Sequence, residues 1–324
     1  MESNNVILVN QKLEVIGILK QAAKLFAKNP SFIIFTVLTS LPFFFFLVYY
    51  ETFLQGFLVK TSQILLQRRY DNFRYNWPIP FESERKLDKG FSYQLIQLCS
   101  LYLLPLHLFE LSTVLVIVDL ASKIYREEEI WMTFKDMVQR PIHGTTLRGS
   151  FVTFVYITIL STCYLLGLIW LVTLYFVVLR NPLCDVIFGL LCGIAFMFLL
   201  RIYLEWSAMW NMSLVISILE GVYGVEAMAL SNYFSRGNER RGLILMLVFF
   251  VLGVSLRLSC LLFGCLGSER WIVAQIGLFC LGNALKWVAC VVYFHDCKNR
   301  IMEKKVDEEV GKKVEAVDEN KQSS

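Results

Sequence analysis

Six stretches of at least 20 residues, each almost free of charge, dominate this chain and leave it few folds to choose from. They run Ser31–Tyr50, Leu95–Val118, Phe151–Val178, Leu183–Trp206, Gly242–Phe263 and Trp271–Phe294. Crossing the roughly 30 Å core of a bilayer takes about 20 apolar residues of helix, because no water is present there to satisfy a non-helical backbone. With 56% hydrophobic and 18% charged residues over 324 positions, a water-soluble fold would lack the polar side chains to cover its surface. The same composition excludes a disordered chain, a collagen-like repeat and a disulfide scaffold. The 9 cysteines fall mostly inside apolar runs and read as reduced packing residues. The expected fold class is an all-α integral membrane protein. Its six transmembrane helices would form three hairpins in a single membrane domain, residues 1–297, followed by a disordered, charged cytosolic tail, 298–324.

Lys and Arg on the loops set the orientation. With the N-terminus inside, the inner loops and tail collect roughly twice as many of them as the outer loops. Both termini are therefore expected in the cytosol; which membrane holds the protein stays open. The largest outer loop, Glu51–Tyr93, contains an amphipathic piece, Phe57–Phe73, and then Trp77-Pro78-Ile79-Pro80, which cannot continue a helix. That piece reads as a membrane-surface segment or as a ligand-binding cap.

A short amphipathic segment precedes each pair of spans on the inner side. The first, Leu13–Lys28, has Leu19, Ala22, Leu25 and Phe26 on one stripe and Lys20, Lys24 and Lys28 opposite. The second is Ile130–Pro141 and the third Gly221–Gly237. Each ends in a basic residue followed by a helix breaker, as in Lys28-Asn29-Pro30, Arg140-Pro141 and Arg236-Gly237-Asn238. An apolar stripe with basic margins marks a helix lying in the headgroup plane, an elbow before the hairpin. The threefold layout reads either as an internal repeat or as the basic inner loop that any hairpin needs.

The third elbow carries the most distinctive residues: Trp206, Trp210, Ser213, Glu220-Gly221, Gly224, Ala227, Ala229, Ser231 and Gly237. This pattern resembles an uncharacterised family of plant six-span membrane proteins, over most of the chain. More remotely, it is similar in layout to the membrane region attached to some bacterial glycerophosphodiester phosphodiesterases. That region is not their catalytic part, so the resemblance implies a fold and no phosphodiesterase activity. Gly221 and Gly224 would tighten the entry to the elbow, and Gly237 would supply the left-handed cap that ends it.

Little in the chain points to catalysis. The 3 histidines, His107, His143 and His295, form no His-Glu-x-x-His spacing. Cys260 and Cys265 lack the Cys-x-x-Cys layout of zinc and redox sites, and neither a phosphate-binding glycine loop nor a Gly-x-Ser-x-Gly elbow is present. No cofactor, metal ligand or catalytic residue is expected, and the chain is not expected to be an enzyme. The net charge of +4 is spread over inner loops and suits anionic lipid rather than nucleic acid. The partners expected are the lipid bilayer, anionic lipids on its inner face, and proteins.

The most informative residues are the ionisable ones inside spans, since each costs about 2.5–3.5 kcal/mol near the centre of an inserted helix unless it faces protein or water. Glu110 and Lys286 fall at matching depth in the second and sixth spans; Arg201 lies nearer the inner surface, and His107 one turn outward from Glu110. Glu110 is expected to pair with Lys286 or Arg201 between helices, as a structural ion pair or as a proton- or anion-sensitive site. Arg257, nearer the outer face, would snorkel or pair elsewhere. The function these features suggest is a non-enzymatic, membrane-organising or partner-binding protein. The alternative is a transporter or channel-like protein with its path at Glu110, Arg201 and Lys286.

Overall fold

The computed structural model describes residues 14–74, 93–126, 144–178, 182–264 and 269–322. Among these residues the regular structure is entirely helical. In chain order the elements are α1 (Val15–Lys28), α2 (Pro30–Arg74), α3 (93–101), a π-helical turn (Tyr102–Leu106), α4 (His107–Tyr125), α5 (Gly144–Val178), α6 (Pro182–Leu219), α7 (Gly224–Ser235), α8 (Glu239–Gly264) and α9 (Glu269–Gln322).

Five helices are long and apolar enough to cross a membrane: Pro30–Phe57 of α2, Leu147–Leu171 of α5, Ile187–Leu219 of α6, Glu239–Leu258 of α8 and Ile272–Glu303 of α9. Their burial is that of a protein solvated by lipid. Only 6% of the apolar window of α6 is buried inside the protein, and Ile187, Leu190, Leu191, Ile194, Met197 and Phe198 are exposed along it. An apolar face of that extent would aggregate in water.

The stretch Leu95–Val118 is helical throughout, within an unbroken helical run from 93 to 125. Pro105 has no N–H and its ring clashes with the preceding turn, and the chain answers with the π-helical turn that separates α3 from α4. Two expected boundaries move. The first span does not stop at Tyr50, since α2 continues without a break through Arg74 and takes in the Phe57–Phe73 piece. The tail expected to be disordered from Lys298 is helical as far as Gln322, within α9. Lys, Glu and Val fill it, with one glycine and no proline to interrupt the helix. The second amphipathic segment, Ile130–Pro141, and Trp77–Pro80 lie outside the described residues.

Packing divides the chain into two units. The first comprises Met1–Ile33, Ile117–Phe250 and Leu285–Ser324. Here α1 buries Ala22 of the expected stripe together with Ile18, one helical turn before it and outside that stripe as read from the sequence. Asn29 ends α1 in an extended conformation, and its Oδ1 accepts the N–H of Phe32 at 3.3 Å, capping α2. Pro30 then occupies a first-turn position where its missing N–H costs nothing. At the end of α4, the rings of Tyr125 and His295 stack at 4.8 Å, and Ser122 Oγ lies 3.2 Å from His295 Nε2. Burial raises the Tyr125 phenol above its ordinary range, against the opposing effect of a hydrogen bond with Gln21 of α1. The helices α5 and α6 pack on each other, and α7 packs on both.

The second unit comprises Ile34–Val116 and Val251–Ala284. Phe43 and Leu47 of α2, Leu106 of the π turn, and Ile272, Ile276 and Cys280 of α9 form its core, with Phe44, Phe46, Tyr102, Phe109 and Phe279 packed around them. Phe43 and Leu47 are one turn apart, as are Ile272 and Ile276, so each helix contributes a single inward stripe.

Candidate functional sites

The second unit holds a small polar pocket in otherwise apolar packing. It is lined by Leu47 and Glu51 of α2, Leu256 and Arg257 of α8, and Gln275, Ile276 and Phe279 of α9. Glu51 lies one turn after the core residue Leu47, so its carboxylate is carried inward; its side chain is only 5% exposed. Arg257 donates from Nη2 to Glu51 Oε2 at 3.4 Å, and its guanidinium is 46% exposed. The other carboxylate oxygen, Glu51 Oε1, is buried with no protein partner, and so is Gln275 Oε1. Two unmet acceptors beside one weakly engaged guanidinium make this a polar site within the described residues of the unit. Glu51 is missing from the sequence-based candidates because it falls at the end of an apolar run, where a carboxylate reads as a loop residue. The inward stripe Phe43, Leu47, Glu51 was the available signal.

The four intramembrane candidates are divided between the units. In the second, His107 Nδ1 lies 3.4 Å from Glu110 Oε2, one turn along α4, and the His107 ring meets Tyr102 edge-on at 5.0 Å. In the first, Arg201 is 70% exposed and pairs with Glu205 of its own helix at 3.1 Å. Lys286 places its ammonium 4.6 Å from the ring centre of its neighbour Trp287. The structure therefore joins His107 to Glu110 and gives Arg201 a partner in sequence. Among the described residues no group of three or more His, Cys, Asp or Glu side chains is arranged to hold a metal ion.

The residues of the third elbow come together in the first unit. Gly221, Gly224 and Gly237 have φ of 68°, 63° and 82°, so all three glycines adopt the left-handed conformation that side chains resist. Gly224 N–H donates to Thr153 Oγ1 of α5 at 2.8 Å, and Ser231 Oγ donates to the Met209 carbonyl of α6 at 2.7 Å. Ala227 is fully buried between these bonds, where a larger residue would push α7 off its seat. Glu220 takes an ion pair from Lys298 of α9. Trp206 and Trp210 pack edge-on at 6.0 Å, and Tyr164 lies within about the same distance of both. Beside the elbow, Glu205, Trp206, Ala208, Met209, Asn232, Ser235, Glu239 and Tyr293 line a cavity of about 310 Å³. Replacing Thr153 with valine keeps the shape and removes the acceptor. The buried Gly224 N–H is then unsatisfied, and a loss of about 1 kcal/mol or somewhat more is expected as a lower melting midpoint. An unchanged midpoint would mean that this bond does not anchor the elbow.

Five helices long and apolar enough to cross a membrane, with polar side chains turned inward at two places, are consistent with a helical membrane protein. The chain belongs to the family described as a domain of unknown function, DUF8558, which it matches over residues 7–304. No curated protein and no solved structure matches it.

Proposed function

We propose that this chain is a non-enzymatic multipass membrane protein that organises the bilayer around it and binds a partner. In this reading six spans form three hairpins, the elbows lie in the inner headgroup plane, and both termini are cytosolic. The observation that supports it is the mounting of α7. Gly224, Ala227, Ser231 and Phe234 are buried, while Val225, Glu226, Ala229, Asn232 and Tyr233 are exposed. A rigidly seated helix with an apolar and polar outer face, and with exposed Arg236 and Arg240 just beyond it, suits a headgroup layer containing anionic lipid. The resemblance of the elbow residues to plant six-span membrane proteins agrees with this layout.

The test is isolation in native lipid followed by mass spectrometry of co-purifying lipids and proteins. Enrichment of anionic lipid or of a protein, reduced by reversing the charge of Arg236 and Arg240, is the expected result. Protein-dependent solute flux across vesicles would overturn it in favour of a transporter. One observation favours that second reading: the buried Glu51 carboxylate, paired with a half-exposed Arg257, with unmet acceptors beside it. A flux that fell in the Glu51→Gln variant would assign the path to that pocket.

A further inference from the structure

The pocket at Glu51 is incomplete as it stands, and what it lacks identifies what it would take. Its two buried unpartnered atoms, Glu51 Oε1 and Gln275 Oε1, are both acceptors, so the missing group is a donor. The void beside them is about 30 Å³, room for one or two water molecules. A primary ammonium can enter that room and carries three donors; a trimethylammonium donates nothing and leaves both acceptors unmet.

Charge narrows the choice further. Glu51 and Arg257 together are neutral. A bare cation would leave the pocket positive against a guanidinium, and a bare anion would leave it negative against a carboxylate buried to 5% exposure. A zwitterion with an ammonium and a phosphate diester a few bonds apart preserves neutrality and satisfies both ends, and a free monoester adds about one further negative charge on the side of the half-exposed guanidinium. Its ammonium enters between Glu51 and Gln275, and its phosphate meets the outer side of Arg257. That guanidinium is 46% exposed and donates to the carboxylate from Nη2 alone, so its remaining N–H groups are available for bidentate binding.

We propose that Glu51, Gln275 and Arg257 form a binding site for a phosphoethanolamine group, the headgroup of an aminophospholipid or the free soluble compound. The lipid form rests on the membrane reading above, which brings the outer ends of the first and fifth spans to the headgroup layer. It goes beyond that reading in naming a ligand and in excluding choline.

The test uses the full chain in nanodiscs of equal phosphatidylethanolamine and phosphatidylcholine, with native mass spectrometry of the lipids retained. Phosphatidylethanolamine should be held about tenfold over phosphatidylcholine, the effect of one or two charge-assisted bonds. Glu51→Gln and Gln275→Leu should each erase the preference. Gln275→Leu keeps the ion pair, so it reports on the site even if Glu51→Gln folds poorly. Displacement of the retained lipid by soluble phosphoethanolamine at comparable affinity would support the site with the soluble compound as its source. Equal retention of both lipids, unchanged in the two variants, with no binding of soluble phosphoethanolamine, would overturn the proposal and leave the pocket to water. In that outcome anionic lipid or a protein partner could still co-purify, so the broader reading would stand or fall separately.

Discussion

An Arg257→Ala variant is expected to lose about 1–3 kcal/mol of stability, the cost of leaving the buried Glu51 carboxylate without its half-exposed guanidinium partner. The loss is asymmetric because the two ends are exposed so differently. Glu51 is 5% exposed and sits among Leu47, Ile276 and Phe279, so without the guanidinium its charge has no solvent to turn to. Arg257 is 46% exposed and long enough to extend its charge outward, so Glu51→Ala should cost distinctly less. Glu51→Gln in the Arg257→Ala background should recover most of the loss, since a neutral amide of the same shape removes the unpaired charge. Melting midpoints of the four proteins in one detergent check this. Equal losses in the two alanine variants, or no recovery in the double variant, would show that the pair is not a buried ion pair in energetic terms.

The second large effect is expected at Gly149 in the first turns of α5. A Cβ there would lie 2.2 Å from two carbons of the Tyr223 ring and 2.4 Å from a third, the ring atom nearest the backbone. The ring cannot swing clear by moving only its tip, so Tyr223 must leave its place, and Tyr223 is the residue from which α7 starts. Gly149→Val is expected to cost about 3 kcal/mol or more, at the upper end of overpacking effects. Tyr223→Ala should rescue it, giving a strong coupling in a double-mutant cycle. Gly167 and Gly193, helical glycines with nothing within 4 Å, are the controls. Alanine there should be neutral or should stabilise by up to about 1 kcal/mol, through helix propensity alone. A mild Gly149→Val, or a Tyr223→Ala that fails to rescue it, would remove the close approach as the reason for this glycine.

The long apolar helices were legible from the sequence because membrane insertion reads a one-dimensional quantity, the run of apolar residues against bilayer thickness. Five of the six expected stretches are helices of that kind. The Leu95–Val118 stretch shows the limit of such reasoning: hydropathy averages over Pro105, whereas the backbone must respond to it locally with a π turn. The left-handed cap at Gly237 was also legible, since positive φ is a property of single residues, and Gly221 and Gly224, expected only to tighten the elbow entry, adopt it as well. Why Gly149 must be glycine was not visible, because its constraint is a ring 74 positions away in sequence.

The chemistry was harder to foresee for the same reason. The sequence by itself determined that charges within apolar runs had to be accommodated, because their desolvation is costly wherever they point. It did not determine which charges meet. Glu110 was matched by depth to Lys286 and Arg201, yet Arg201 takes Glu205 one turn away. Glu51, assigned to a loop, instead forms the buried pair with Arg257. Insertion into a bilayer depends on each segment's own composition, so it is written along the chain. Ion-pair partners depend on the rotation of each helix about its axis, and that rotation is set only when the apolar stripes of neighbouring helices pack together.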